Sequence, residues 1–455
     1  MRAFYYSELI RRFGGVIILD HSIDANDYSA LTNQPRETFE NSVEWVCNEL
    51  SEAARDLPPV CSASDVGRAT DAACYAVMAR LRITAASPLF NTDSPVLSDY
   101  NTTHYYGNYD KNRWKLAADA CRFIMEQRSQ YYGLDMTNET GVDPDSWENY
   151  YRRFLGRYFI VGKESIWISY EKKEWDYVKI PWLNRSAGGW NWVNPTYELA
   201  KEYEMLNGKL PEEPESGYDF NDPGKNRDPR LEVDILHDGE EMYGVTIKVA
   251  PLASSGSTGI NQHNDATETG YYGQKWLDPS LDPLSDGWNM GKDWVHIRYA
   301  EVLLTYAEAK NELQGLDPEA FDAVNQVRRR VGMPELQNTN ASLPTYCATQ
   351  DDLRQRIRNE WRVEFCLEGG KRMWDIRRWG IAKDVLNAPF EGLKYKIVDN
   401  PNDPDKKVDG GKMCILHQGD PIILSGSRYS DNNYLFPVPQ SEIDLNPALT
   451  QNPGY

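Results

Sequence analysis

Apolar residues recur every three to four positions over most of the first 130 residues and again from about 296 onward; between these stretches the rhythm fails. In TFENSVEWVCNELSEAARD, Phe39, Val43, Val46, Leu50 and Ala53 share one face, which predicts an amphipathic helix over 38–56 ended by Leu57-Pro58-Pro59. A second predicted helix spans 64–86: Ser64 is its expected cap, Ala72, Ala73, Ala76, Ala79 and Leu81 allow close packing, and Ser87-Pro88 breaks it. A third covers 111–129, with Trp114, Ala117, Ala118, Cys121 and Ile124 on one side. The pattern returns over 296–314, where Gly315 closes it and Asp317-Pro318 opens a partner helix to about 330. A last helical pair is expected over 350–386, with a weak Thr349/Asp352 capping box and Leu353, Ile357, Trp361 and Phe365 on its buried line.

Helix pairs of this length with alanines at the crossing points resemble tetratricopeptide units, and without a strict 34-residue period they are degenerate. From about 130 to 295, Gly, Pro, Asn and Trp punctuate short strand-like runs such as SIWISY and GVTIKVA. The expected organisation is N-terminal helices over 1–130, an irregular loop-rich subdomain over 131–295, and C-terminal helices over 296–455. Within the last part, 399–412 reads as hairpin-like and the residues from 432 onward as an extended tail. The first helix carries Phe4, Leu9, Ile10 and Phe13 with Tyr5 and Tyr6 interleaved, and Gly14-Gly15 stops it. Nothing ahead of it can cap its first turn, so it reads as the end of a longer helix and the sequence looks N-terminally incomplete.

Composition narrows the function classes. A net charge of −20 over 455 residues argues against a nucleic-acid groove, which needs clustered Lys and Arg. No run approaches the ~18 apolar residues of a membrane helix. The seven cysteines are widely spaced without a CxxC or Cys/His pattern, so they read as buried thiols, and neither a metal site nor a cofactor is read from the sequence. With 14 Trp and 28 Tyr against 12 Phe, the rings favour polar boundaries, where an apolar face and a hydrogen-bonding tip are both used.

The usual catalytic signatures, HExxH, GxSxG, a P-loop and GxGxxG, are missing, although a carboxylate pair for glycoside hydrolysis leaves no motif and stays open. The densest feature is Trp175, Trp182, Trp190 and Trp192 in KKEWDYVKIPWLNRSAGGWNWVNPTYELAKEY. A sugar ring offers a C–H face and an edge of hydroxyls, so rings beside amides on a loop, as in Trp190-Asn191-Trp192, suit it. A second set, Tyr271, Tyr272, Trp276 and Trp288, reads as core. Glu360, Glu364 and Glu368, with Arg358, Arg362, Arg372, Arg377 and Arg378 nearby, read as a salt-bridged helical hairpin.

Six blocks carry a resemblance to the SusD/RagB outer-membrane glycan-binding lipoproteins: RAFYYSELIRRFGGV (2–16), NPTYELAKEYEMLNGK (194–209), NRDPRL (226–231), IRYAEVLLTYAEAKNEL (297–313), IRNEWRVEFCLEGGKRMWDIRRWG (357–380) and YLFPVPQSEIDLNPALTQNPGY (434–455). They fall in the family's order along the whole chain. Trp361 stands where that family more often has a second Arg, and its members carry about a hundred residues, the size of a folding unit, ahead of the first block. The resemblance implies a mainly α, SusD-like α-α superhelix of four degenerate tetratricopeptide-like units supporting an irregular loop-rich subdomain. It also implies a non-enzymatic, lipid-anchored surface receptor that captures oligosaccharide or polysaccharide for a SusC-like TonB-dependent outer-membrane transporter. The ligand residues it points to are Trp182, Trp190, Asn191, Trp192 and Tyr218. The competing readings are a glycoside hydrolase acting on a surface polysaccharide, a binder of peptides or other nutrients, and a scaffold.

Overall fold

A computed structural model describes residues 1–24, 26–62, 64–97, 100–135, 163–169, 182, 189–251, 266–277, 294–399, 408–409, 411–424, 426 and 428–455. Eight longer helices frame it: α1 (Arg2–Phe13), α2 (Phe39–Asp56), α3 (Asp71–Ala86), α4 (Asn112–Gln127), α5 (Tyr299–Gln314), α6 (Pro318–Arg330), α7 (Gln350–Glu364) and α8 (Lys371–Arg378). They pack in sequence, α1 on α2, α2 on α3, α3 on α4, α4 on α5, with α6 and α7 both on α5. The fold is mostly helical, as the periodicity implies. Helices α3 and α5 lie in the middle of this array and are buried almost all round, which explains their alanines: a helix covered on every side needs small residues where neighbours cross.

Local chemistry sets the ends. Thr38 accepts from the Asn41 amide, Thr70 from the Ala73 amide and Asp317 from the Glu319 amide, each supplying a partner to an otherwise unpaired first-turn donor. Thr349 and Asp352 form the reciprocal capping box. α3 therefore starts at Asp71 rather than near 64, because Thr70 is the cap, while the Ser64 hydroxyl bonds Ser62 instead. α5 likewise starts at Tyr299: the preceding residues form strand β2 (Trp294–Arg298), antiparallel to β1 (Ser165–Ser169), with Ser165 opposite Arg298 and Ser169 opposite Trp294. The expected pair over 350–386 divides at Gly369 and Gly370, both at positive φ, before α8.

In α1 the buried stripe is Ala3, Ser7 and Ile10, spaced to face α2; Leu9, expected on that face, is 41 % exposed. Gly14-Gly15 ends the helix for a steric reason. A Cβ at Gly15 would lie 2.1 Å from the Glu37 carbonyl oxygen, so only glycine lets the chain pass between the segments around 37–39 and 102–104.

Strand β3 (Tyr395–Asp399) pairs antiparallel with β4 (Lys412–Leu416), bracketing the segment expected to be hairpin-like. GVTIKVA forms a strand only at Val245–Thr246, against Glu241–Met242. The tail is not uniformly extended: it makes a 3-10 turn at Asp431–Tyr434 and a short helix at Gln440–Leu445, and it fastens to the N-terminal part. The Phe436 amide donates to the Arg12 carbonyl at 2.7 Å, Arg36 Nη1 to Asn452 Oδ1 at 2.8 Å, and Asn446 Nδ2 to the Gln34 carbonyl at 2.7 Å.

One apolar core runs through the helical array from Ala3 to Leu435. A second, smaller one gathers Tyr197, Tyr203, Leu231, Ile247, Tyr272 and Leu393 beside the C-terminal end of α7. Between them lies a buried charge network. Arg298 holds Glu164 at 2.9 Å, Glu364 at 2.5 Å and Glu368 at 2.8 Å; Arg230 holds Asp228 at 2.6 Å and Glu360 at 2.5 Å; Arg328 holds Glu204 at 2.7 Å and Glu360 at 3.0 Å. The reading of Glu360, Glu364 and Glu368 as ion-paired stands, but their partners come from distant segments rather than from the neighbouring arginines of the hairpin. Burial disfavours the Glu364 carboxylate, yet Arg330, Arg298 and Arg230 outweigh it and hold its pKa far below the ordinary range. All seven cysteines are free thiols, and five of them are buried. Among the described residues, no helix is long and apolar enough to cross a membrane.

Candidate functional site

The segment that leads into the short helix Tyr197–Ala200 carries the aromatic residues singled out above. Trp190 is 49 % exposed and Trp192 is 68 % exposed, while Asn191 between them is only 6 % exposed. Asn191 has φ of +51°, a conformation that asparagine tolerates better than most residues. This places its amide inside the protein and two indoles outside it. Neither polar atom of the Asn191 side chain has a hydrogen-bond partner among the described residues, although both are buried; its backbone carbonyl accepts from Asn194 Nδ2 at 3.3 Å.

Trp182 and Tyr218 sit differently. Trp182 is partly buried and packs on the second core, its six-membered ring so close to Gly273 that a Cβ there would lie 2.7 Å from it. Tyr218 is held by two neighbours: its ring meets Phe220 edge-on at 5.7 Å, and the Arg227 guanidinium lies 5.5 Å from its centroid. Arg227 is itself fixed, donating to the carbonyls of Ala200 at 2.6 Å, Tyr203 at 3.0 Å and Pro223 at 3.0 Å, where it satisfies the end of the short helix. Tyr218 lines a narrow cleft with Tyr197, Arg227, His237, Tyr271 and His417. The cleft has room for about 10 Å³, enough for roughly one water and too little for a sugar ring. Burial pushes the Tyr218 hydroxyl up to about 12, so it remains a neutral donor and acceptor at physiological pH.

The structure thus brings Trp190, Asn191 and Trp192 onto one segment, and sets Trp182 against the second core and Tyr218 against Phe220 and Arg227. Trp175 lies outside the described residues, as does Trp288 of the second aromatic set. The other three members of that set are core: Tyr272 is fully buried, Tyr271 lines the cleft, and buried Trp276 donates to the Leu367 carbonyl at 2.8 Å and stacks on half-exposed Trp294 at 5.9 Å. Sequence reasoning missed the residues that build the cleft around Tyr218, namely Arg227, His237 and His417. Their spacing has no period, and nothing in the chain order shows that a turn near 237 and a loop near 417 meet.

A larger cavity, of about 190 Å³, opens beside α1 and is lined by Phe4, Arg11, Trp294, Lys371 and Trp374 among others. Its charged groups are mostly committed: Glu301 takes Arg80 at 2.6 Å and also Lys371, while Arg11 pairs with Glu8 at 2.7 Å and lies over the Trp374 ring at 4.4 Å.

Comparison with known proteins bears on these features. A family model described as the SusD family matches residues 162–455. The SusD-like protein P38 of Formosa agariphila is 33 % identical over 137 residues, 28 % of this chain and 26 % of that protein. The SusD-like protein P2 of the same organism is 29 % identical over 151 residues, 33 % of this chain and 27 % of that protein. The matched stretches therefore span about a quarter of these curated relatives. Among solved structures, a SusD-like carbohydrate binding protein from Bacteroides fragilis superposes with a TM-score of 0.72 at 26 % identity, covering 99 % of this chain and 78 % of that one. A second SusD-like protein from Bacteroides fragilis gives a TM-score of 0.72 at 24 % identity, covering 100 % of this chain and 78 % of that one, a likeness of fold.

Proposed function

Because the chain belongs to the SusD family, we propose that it is a non-catalytic glycan receptor that captures oligosaccharide or polysaccharide at a cell surface and delivers it to a SusC-like TonB-dependent outer-membrane transporter. The observation that carries this reading is the Trp190-Asn191-Trp192 element, in which two exposed indoles flank a buried asparagine. The indole faces stack on the C–H face of a sugar, while Asn191, buried at positive φ, turns the two rings outward. Trp182, held by the second core, and Tyr218, held by Phe220 and Arg227, serve as further contacts. The carbohydrate-binding relative from Bacteroides fragilis supports the choice of ligand class.

The receptor is placed at the outer membrane through a lipid anchor, with the helical array facing the transporter and the Trp element facing the glycan. Stable protein interfaces bury roughly 1,200–2,000 Å² in total, and flat helical surfaces provide that area more readily than a single loop. Non-catalysis accords with the buried carboxylates at 360, 364 and 368, which are engaged by arginine or lysine and have no free oxygen to work as acid and base on a substrate.

Affinity electrophoresis and calorimetry against a polysaccharide panel test the reading. At least one glycan should bind and stay at its original chain length over many hours with the protein. Steady release of reducing ends, abolished by a single Asp→Asn or Glu→Gln change, would assign the chain to hydrolysis instead. Co-purification of a large outer-membrane barrel with the native protein tests the delivery step, and its consistent absence argues for a free-standing binder.

A further inference from the structure

Beside the narrow cleft of Tyr218, three side chains converge that glycan stacking does not require. Glu232 lies in the short helix Leu231–Asp234, His237 follows the strand Ile235–Leu236, and the turn after it brings back Glu240. His237 Nε2 lies 3.4 Å from Glu232 Oε1 and 3.1 Å from Glu240 Oε1, and the three candidate ligand atoms all fall within 4.8 Å of one another. A tetrahedral zinc ion with bonds of about 2.0–2.1 Å holds its ligand atoms roughly 3.3–3.4 Å apart, so the two separations from His237 Nε2 lie close to the edges of such a site.

Two further contacts orient the set. His237 Nδ1 lies 3.3 Å from the Asp238 carbonyl, so a metal ion could take Nε2 in place of its proton while Nδ1–H keeps the carbonyl as its acceptor. The His237 amide donates to Glu240 Oε2 at 2.9 Å and fixes that carboxylate, leaving Oε1 for the centre. An independent observation is Gly224: a Cβ there would lie 2.4 Å from Glu232 Oε1 and 2.9 Å from His237 Nε2, so the missing side chain keeps open the gap these two atoms face. Another is His417. It is 4 % exposed, lines the same cleft as His237, and its Nε2 has no partner among the described residues.

We propose that Glu232, His237 and Glu240 form a binding site for a divalent transition-metal ion of the zinc class. One imidazole nitrogen with two carboxylate oxygens suits zinc and its neighbours, whereas calcium and magnesium favour all-oxygen sites. The site stands whether or not the glycan reading does. Its rival is a plain ion triad with a protonated His237 between two glutamates.

The test is titration of the chelator-treated full chain with zinc chloride, followed by calorimetry and equilibrium dialysis, with magnesium chloride in parallel. One zinc ion per chain should bind and raise the melting temperature, while magnesium does neither. His237→Ala and Glu232→Gln should each weaken zinc binding by at least the roughly 10- to 100-fold that even an outer-shell change costs. Gly224→Ala should do the same, because its methyl group intrudes between two ligands. Near-UV circular dichroism identifies any variant that has lost its fold, and the near-isosteric Glu232→Gln keeps the test decisive if His237→Ala does not fold. Lack of zinc uptake by the unmodified chain overturns the site, and so does uptake unchanged in the folded variants.

Discussion

Arg378 sets its guanidinium squarely on Glu308, Nη1 to Oε1 at 2.5 Å and Nη2 to Oε2 at 2.7 Å, and thereby joins α8 to the central helix α5. The neighbouring Trp379 indole donates to the same carboxylate at 2.8 Å, and Arg378 also reaches Asp375 at 2.9 Å. The pair is buried, and its value lies in mutual completion rather than in raw attraction. Taking two charges out of water costs several kcal/mol, and only a fork-to-fork geometry with the remaining lone pairs engaged recovers it.

Glu308→Ala should therefore destabilise the protein by about 3–5 kcal/mol, the usual cost of leaving a buried charge without its partner. Arg378→Lys should also be costly, since a point charge cannot span two oxygens. Urea unfolding followed by circular dichroism measures both. A loss below about 1 kcal/mol for Glu308→Ala would mean that solvent reaches the pair.

Trp190→Ala and Trp192→Ala should leave thermal unfolding nearly unchanged, because both rings are exposed. Each should weaken binding of the captured glycan by about 2 kcal/mol, roughly 30-fold, as expected for an aromatic hot spot. Buried Trp276→Ala is the contrasting control, with an expected loss of ~3–5 kcal/mol in stability. A sharp fall in melting temperature for the 190 or 192 variant would assign those rings to packing.

Glu301 makes acid stability readable at one site. Burial works against its carboxylate, but Arg80 and Lys371 overcome that and hold its pKa well below the ordinary value of 4.5. The unfolded chain therefore takes up a proton at Glu301 at higher pH than the native one. The stabilisation is fully present above about pH 4.5 and is lost as the pH falls toward the native value. Glu301→Gln should lower stability at pH 7 and flatten its decline between pH 5 and 3. A slope in acid identical to that of the unmodified protein would refute the assignment.

Gly15→Ala should cost ~1–3 kcal/mol, because its methyl group would press on the Glu37 carbonyl oxygen and the backbone must move to admit it. Gly411→Ala meets no atom of the described residues within 4 Å; its penalty should come from its positive φ and be the smaller of the two. Differential scanning calorimetry of the two variants separates steric from conformational cost.

The helical array was largely legible in the sequence because its signal is local. Phe39, Val43, Val46 and Leu50 repeat at the helix period, and all four are buried in α2. Leu9 shows the limit of that signal: apolar character sets no direction until the neighbouring helix is known. The partners of Glu364 were invisible for a related reason, since Arg230, Arg298 and Arg330 reach it from three separate segments and charge pairing across such distances leaves no period. The exposed Trp pair could be located because Gly, Asn and Trp together mark an irregular aromatic surface. The convergence of Glu232, His237 and Glu240 could not, because it depends on a helix-to-strand bend that neither a period of 3.6 nor one of two describes.

The fastening of the tail to the first helices also bears on how the protein is made. Gln34 and Asn446, 412 positions apart, exchange a pair of amide hydrogen bonds, the Gln34 amide to Asn446 Oδ1 at 3.1 Å and Asn446 Nδ2 back to the Gln34 carbonyl at 2.7 Å. During synthesis, the segment around Arg36 must wait for residues 446–452 to leave the ribosome before its partners exist. Closing so long a loop costs little more than closing one of half the length, so the delay is one of time rather than of equilibrium. A nascent chain arrested before Asn446 should be cut by protease near Gln34, and the released full-length chain should resist there. Asn446 and Asn452 thus act as a clasp on the segment of Gln34 and Arg36.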